Sequence, residues 1–471
     1  MKSERISSIP GLFISALRGG SGKTILTIGI TAALRSLGKQ VAPFKKGPDY
    51  IDAGWLSLAA GNPCYNLDTY LIDHDTVVSS YLANSAKLGA DIAIVEGNRG
   101  LFDGIDIDGK TSTAETAKLL EAPVVLVLDC SKSTRTMAAA VLGCLHFDPE
   151  LTIGGVILNR IAGPRHKNNL INNIEYHTGV PVIGAVPKLR SHDFPERHMG
   201  LVPTPEHDWA FESVRNAETI IRDHVDVPRI IALSETAASF ERNVRVPEAG
   251  SAATTTDKPV IGVIRDASFQ FYYPENIEAL EAEGAQVVMI SPLRDTELPE
   301  ELDGVYIGGG FPETHARELG ENVSFRESLL ARIKEGMPLY AECGGLIYMG
   351  EELEVDGVVH PMTGLFPLSF SVSKRPQGHG YVVAEITGEN PFYEVGTQIK
   401  GHEFRYSKIT RWDREENDAA FTMARGTGMA DKADGITKYN ALATYTHIHA
   451  LGTPAWAPSF VSKALEYKNH G

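Results

Sequence analysis

Gly11-Leu12-Phe13-Ile14-Ser15-Ala16 runs through Leu17 into Arg18-Gly19-Gly20-Ser21-Gly22-Lys23-Thr24. The residues after it carry Leu26, Ile30, Ala33 and Leu37 on one stripe, with Gly38 as a stop. An apolar strand, a glycine-rich turn and an amphipathic helix, in that order, build a phosphate site. The glycines let backbone N–H groups converge on an anion, and the helix N-terminus adds positive potential. Lys23 would reach the outer phosphates and the Thr24 hydroxyl would ligate Mg²⁺. Gly19, Gly20, Ser21, Gly22, Lys23 and Thr24 are the expected nucleotide-binding residues, although Leu17 stands where the common phosphate loop has its first glycine.

Outward from this loop the pattern repeats. Gly11–Ala16, Val41–Phe44, Ile92–Glu96, Val124–Asp129, Gly155–Leu158 and Val182–Val186 are apolar almost throughout, as parallel strands covered on both faces are. Helical stretches separate them, which predicts a doubly wound α/β sheet. The pattern lapses near Ala237–Lys258, where GSAATTTDK is small, polar and linker-like. A second α/β series follows: strands at Val260–Ile264, Gln286–Ile290, Gly304–Ile307 and Pro338–Ala341, and a helix at Pro274–Glu283. The expected organisation is a first domain at 1–240, a linker at 241–257 and a second domain at 258–471.

The 471 residues allow two to four domains. Sixty acidic residues against 44 Lys plus Arg give a formal charge of −16, which argues against general nucleic-acid binding. No apolar run approaches the roughly 20 residues that span a bilayer, and MKSERISSIP shows no signal peptide. The four cysteines lie far apart without a CxxC, which points away from disulfides or zinc and fits a reducing cytoplasm.

Magnesium needs carboxylates as well as Thr24. Glu96 closes an apolar strand, where an unpaired carboxylate is expensive unless it meets a cation. Lys46-Gly47-Pro48-Asp49-Tyr50-Ile51-Asp52 offers two more, although Pro48 and Asp49 also suit a plain turn. Gly100-Leu101-Phe102-Asp103-Gly104 is a similar turn.

In the second half, Pro338-Leu339-Tyr340-Ala341-Glu342-Cys343-Gly344-Gly345 leads a strand straight into small residues, which suits an exposed nucleophile on a sharp turn. A thiolate there would take an acyl group from an amide. Gly308-Gly309-Gly310 follows another strand and offers N–H groups for an oxyanion hole, from Gly309 and Gly310. Tyr445-Thr446-His447-Ile448-His449 is the best source of a base. Alone, Cys343 would read as an inert buried thiol, and the two histidines as a satisfied pair or a metal-binding HxH. Together the three features point to a Cys–His site.

With these motifs in view, the sequence resembles the cobyrinate a,c-diamide synthases over nearly its whole length. The markers are GGSGKT, KKGPDYID, Asn66-Leu67-Asp68, EGNRGLFDG and Pro195–Leu201, then YYPEN (Tyr272–Asn276), SPLRD (Ser291–Asp295), GGGFPE, AECGG, GHEFRYS (Gly401–Ser407) and YTHIH. The resemblance implies a dethiobiotin-synthetase-like domain joined to a class I glutamine amidotransferase domain. Cys343 would take the glutamine side chain and release ammonia, with His447 as its base. ATP would phosphorylate a corrin carboxylate, and ammonia would cross between the domains to form the amide, on the c and then the a acetate. It further implies Thr24, Asp49 and Glu96 for Mg²⁺, Asp52 and Asp103 near the phosphorylated carboxylate, and Tyr50, Ile51 and Arg197 near the macrocycle. Class I glutaminases carry Glu two residues beyond the histidine; His449 stands there. A carboxylate-rich tetrapyrrole also needs cations, and Arg160, Arg165, His166, Lys167, Arg190, Arg197 and His198 cluster in sequence, with Lys45 and Lys46 elsewhere. Hydrogenobyrinate and nickel-sirohydrochlorin stay open as alternative rings, a phosphate-loop switch or corrinoid scaffold stays open as an alternative class, and so does a homodimer.

Overall fold

In the computed structural model, residues 2–188, 196–197, 200–201, 203, 209–246, 258–412 and 419–470 are described. The chain divides into two units, Met1–Glu248 and Ala249–Gly471.

The first unit is built on a seven-stranded sheet in the order Tyr65–Leu67, Val41–Lys46, Ile92–Glu96, Gly11–Ala16, Val124–Asp129, Ile153–Ile161, Val182–Pro187. All neighbours are parallel. The central strands are buried along their length because helices cover both faces, which is why they read as unbroken apolar runs. After Gly11–Ala16 the chain moves first to one side of that strand and later to the other. The switch opens a crevice at the carboxyl ends, where ligands sit in such sheets, and the phosphate loop lies there.

The helix after the loop, Lys23–Ser36, is held close to the helix Ala210–His224. A Cβ on Gly29 would lie 2.4 Å from the Ala217 carbonyl oxygen and 2.6 Å from Ile221 Cγ1, so the approach depends on the missing side chain. The segment expected to open the linker is ordered: Glu241–Val246 pairs antiparallel with Lys2–Ser7. Its charged residues read as solvent-exposed coil, but Val244 is buried, and Arg5 meets Glu241 at 2.5 Å. Residues 247–257 lie outside the described residues.

The second unit holds a ten-stranded sheet. Gln286–Ile290, Val260–Ile264, Gly304–Ile307, Leu339–Glu342 and Ala441–Thr444 form its parallel half. Ala433–Lys438, Ala419–Arg425, Gly378–Ile386, Gln398–Arg405 and His447–Ile448 continue it antiparallel. Only Tyr445 and Thr446 separate the strands Ala441–Thr444 and His447–Ile448, yet those strands are five positions apart in the sheet. Three residues reach about 10 Å at most, whereas five strand spacings across a flat sheet are about 24 Å. The sheet therefore curls until its antiparallel edge returns to the carboxyl end of its parallel half. A smaller four-stranded sheet is formed by Glu352–Val355, Val358–Pro361, Leu368–Val372 and Ser407–Trp412. Among the described residues no helix is long and apolar enough to cross a membrane.

Gly29→Ala is expected to destabilise the first unit by about 1–3 kcal/mol through overpacking. Calorimetry should show a melting transition lowered by roughly 3–10 °C, and an unchanged transition would contradict the close helix contact.

Candidate functional site

The first cluster lies at the carboxyl edge of the seven-stranded sheet. Gly20 and Gly22 take left-handed φ of 72° and 85°, which glycine adopts without strain. A Cβ on Gly22 would meet Asn159 Nδ2 at 2.4 Å, whereas Gly19 and Gly20 face open space. Neighbouring strand ends hold the loop from below. Asn159 Nδ2 donates to the Ser21 carbonyl at 2.9 Å, and Arg160 donates to the Gly20 carbonyl at 3.0 Å and to Asp129 at 2.6 Å. Ser21 Oγ donates back to the Arg18 carbonyl at 3.0 Å. The first N–H groups of the helix have no intrahelical partners, so the loop presents donors to a phosphate.

Strand register sets Lys45 opposite Glu96. The buried Lys45 Nζ donates to Glu96 Oε1 at 2.9 Å and Asp52 Oδ2 at 2.7 Å. Thr24 Oγ1 donates to the same Glu96 oxygen at 2.7 Å and reaches Asp52 Oδ2 at 3.3 Å. Burial works against the charge on Lys45, but Asp52 and Glu96 outweigh it and hold the ammonium above its ordinary range. Burial also raises the Glu96 carboxyl and lowers the Lys23 ammonium, the latter helped by Lys45. Asp52 is lowered because Lys45 overrides its burial.

Thr24 and Glu96 meet through one carboxylate oxygen, with Asp52 rather than Asp49 beside them. Asp49 Oδ1 accepts the Asp52 N–H at 2.9 Å, and burial, reinforced by Asp52, raises its carboxyl to about 6. Glu96 Oε2 is buried with no hydrogen-bond partner among the described residues. That free acceptor, one hydroxyl and a second carboxylate fit Mg²⁺. Tyr50 and Ile51 begin the helix Ile51–Ala60 beside Asp52. Asp103 is exposed and accepts the Gly100 N–H at 2.8 Å, in a turn tied to the first strand by Leu101 N–H to Ala16 O at 2.7 Å. Arg197 sits in a two-residue strand paired with Gly200–Leu201, and its side chain lies outside the described residues, as do Arg190 and His198.

The second cluster lies at the corresponding edge of the ten-stranded sheet. Cys343 joins the strand Leu339–Glu342 to the helix Gly344–Met349 with φ 49° and ψ −95°, a strained position for a side chain with a Cβ. Its thiol is within hydrogen-bond reach of His447. Burial opposes charge on that imidazole, but Cys343 and Glu342 outweigh it and raise it to about 10. The His447 Nδ1 is 3.4 Å from Glu342 Oε2. The turn that delivers His447 is gathered by the fully buried Asp434, which accepts from Thr444 Oγ1 at 2.8 Å, Thr446 Oγ1 at 3.0 Å and the Tyr445 N–H at 3.0 Å. Gly309 and Gly310 pair with Phe271 and Phe269 and lie against the elbow. A Cβ on Gly309 would sit 2.4 Å from His447 Cε1, and one on Gly344 would sit 3.0 Å from the Gly310 nitrogen. His449 turns elsewhere: its Nδ1 accepts the Leu451 N–H at 3.2 Å and its Nε2 is 3.6 Å from Glu275.

Sequence reading missed the positions of Lys45, Glu342 and Asp434. Lys45 was legible only as part of a general basic set, although its register opposite Glu96 follows once the two strands pair.

The CobQ/CobB/MinD/ParA nucleotide binding domain matches residues 12–202, and the CobB/CobQ-like glutamine amidotransferase domain matches residues 260–455. A protein of Magnetococcus marinus named cobyrinate a,c-diamide synthase is 43% identical over 452 residues, 96% of each chain. One of the same name from Methanosarcina acetivorans is 39% identical over 98% of this chain and 96% of its own. A third, from Listeria monocytogenes, is 39% identical over 93% and 96%.

Lys45→Met leaves Asp52 and Glu96 buried without their cation, and should cost the first unit about 3–5 kcal/mol. The loss should shrink toward pH 5. Burial already raises the Glu96 carboxyl, and without the Lys45 ammonium nothing beside it offsets that burial, so protonation as the pH falls removes part of the unbalanced charge. Denaturant titrations at pH 8 and pH 5 check this, and an equal loss at both would contradict the pairing.

Proposed function

The chain belongs to the cobyrinate a,c-diamide synthase family, and we propose that it amidates the a and c acetate carboxylates of cobyrinate, using ATP and glutamine. It is a carbon–nitrogen ligase of cobalamin biosynthesis with a nucleotide-binding domain and a glutamine amidotransferase domain. The reading is carried by relatives of that name that match it from end to end, 96% of both chains in the case of Magnetococcus marinus.

The geometry supports a division of labour. In the second unit the Cys343 sulfur attacks the glutamine side-chain carbonyl. The Gly309 and Gly310 N–H groups would stabilise the oxyanion, and His447 returns a proton to the departing nitrogen. Ammonia leaves, and water later releases glutamate from the thioester. In the first unit Gly19, Gly20, Ser21, Gly22 and Lys23 hold the ATP phosphates, a corrin carboxylate oxygen takes the γ-phosphoryl group, and the bond to the β-phosphate breaks to release ADP. Lys45 is placed to balance the charge carried by that group, and Asp103 lies at the same edge. Ammonia then attacks the acyl carbon, the C–O bond to phosphate breaks and the amide remains. Thr24, Asp52 and Glu96 would hold Mg²⁺, with Asp49 behind them, and the ion would neutralise the phosphate oxygens. Tyr50, Ile51 and Arg197 are the proposed contacts to the macrocycle.

A substrate panel tests the ring. Protein, Mg-ATP and glutamine are mixed with cobyrinate, hydrogenobyrinate or nickel-sirohydrochlorin, and amides are counted by mass spectrometry. A diamide from cobyrinate is expected; a diamide only from another ring would move the substrate, and none from any ring would sink the synthetase reading. Cys343→Ala should lose glutamine-supported synthesis but keep synthesis from free ammonia, whereas Lys23→Ala should lose both. Loss of ammonia-supported synthesis in Cys343→Ala would refute the division of labour.

A further inference from the structure

Glu342 is fully buried at the end of its strand, one residue before Cys343. Its Oε1 accepts the Ile448 N–H at 3.2 Å, and its Oε2 accepts the Tyr306 hydroxyl at 3.3 Å, the same oxygen that lies 3.4 Å from His447 Nδ1. Tyr306 is held in turn by Asn276, whose Nδ2 donates to the phenol at 3.2 Å and to the Ile448 carbonyl at 3.1 Å. Asn276 Oδ1 accepts the Ala450 N–H at 2.7 Å. The carboxylate is therefore tied to the strand that carries His447 and, through Asn276, to the helix Pro274–Ala282.

The histidine is fixed from its other side as well. His402 stacks on it, with ring centroids 4.8 Å apart and planes 20° from parallel. His447 Nδ1 is the ring nitrogen 3.4 Å from Glu342 Oε2, which leaves Nε2 as the one for the thiol. Other titratable groups around Glu342 do not compete for this role. Burial raises the phenols of Tyr272, Tyr306, Tyr340 and Tyr393, and burial followed by His447 and His449 holds His402 well below the usual histidine range. His449 Nδ1 accepts the Leu451 N–H, and its Nε2 lies 3.6 Å from Glu275.

We propose that Glu342 is the positioning residue of the glutaminase site, holding His447 with its proton on Nδ1 and its Nε2 toward Cys343. The proton of the thiol then passes to Nε2, so that the S–H bond breaks, an N–H bond forms and a thiolate–imidazolium pair stands ready for glutamine. The same imidazolium later protonates the leaving nitrogen. This rests on reading Cys343 and His447 as the glutaminase pair.

The test uses the full chain with Glu342→Gln and Glu342→Asp. Glutamine hydrolysis and alkylation of Cys343 by iodoacetamide are followed across pH, with thermal unfolding as a check of folding. Glu342→Gln should lower the hydrolysis kcat by roughly 100-fold or more, the size of a lost acid–base contribution. Because Glu342 helps to raise His447, the alkaline limb of the hydrolysis profile should move to lower pH. Glu342→Asp should recover part of the rate and part of the limb. Wild-type kcat and an unmoved limb in a folded Glu342→Gln would overturn the proposal. Should Glu342→Gln fail to fold, Glu342→Asp decides: a displaced limb supports it and an unmoved one overturns it. Unchanged hydrolysis in Cys343→Ala would instead refute the reading of the site on which the proposal rests.

Discussion

A strand buried on both faces can present polar chemistry only where it ends, and parallel strands all end at one edge. Both units follow from that constraint. In the first, Glu96, Asp129 and Asn159 are the last or nearly last residues of three strands on the two sides of Gly11–Ala16, and all three contact the phosphate loop or its threonine. In the second, Glu342 and Thr444 close two adjacent strands, Cys343 begins the next turn, and the Cys343 N–H donates to the Thr444 carbonyl at 2.7 Å. The chain needs no long reach to assemble either cluster, because register lines the residues up.

The two clusters handle buried charge in different ways. Around Lys45, opposite charges are set directly against one another, and every group involved is shifted by that pairing or by its burial. Around Asp434, a carboxylate raised by burial is satisfied by backbone N–H and hydroxyl donors with no cation among them. The second arrangement is a brace, and it fixes the two-residue turn that sets His447 against the elbow.

Much of this was legible in the residues. The parallel strands announced themselves as continuous apolar runs, and the glycine loop and the cysteine elbow each carried a local signature. Residues whose meaning lies in a distant partner were not legible. Glu342 reads as an ordinary strand end until Tyr306, His447 and Ile448 close around it. Asp434 reads as a turn residue in KADGITK. In the antiparallel strand Gly378–Ile386 burial alternates from Val382 to Ile386, but Tyr381 and Val383 are apolar on the more exposed face, so the sequence gives little sign of the curled sheet. Glu241–Val246 misled for the opposite reason: a two-stranded ribbon asks little apolar surface of its residues, so it looks like coil.

That ribbon has a structural corollary. By joining Lys2–Ser7 to Glu241–Val246 in register, it brings the two ends of the first unit side by side, from Lys2 opposite Val246 to Ser7 opposite Glu241. A body whose entry and exit are adjacent can be grafted, excised or re-spliced at a single point without rethreading its interior. The ribbon therefore works as a clasp that closes the first unit on itself.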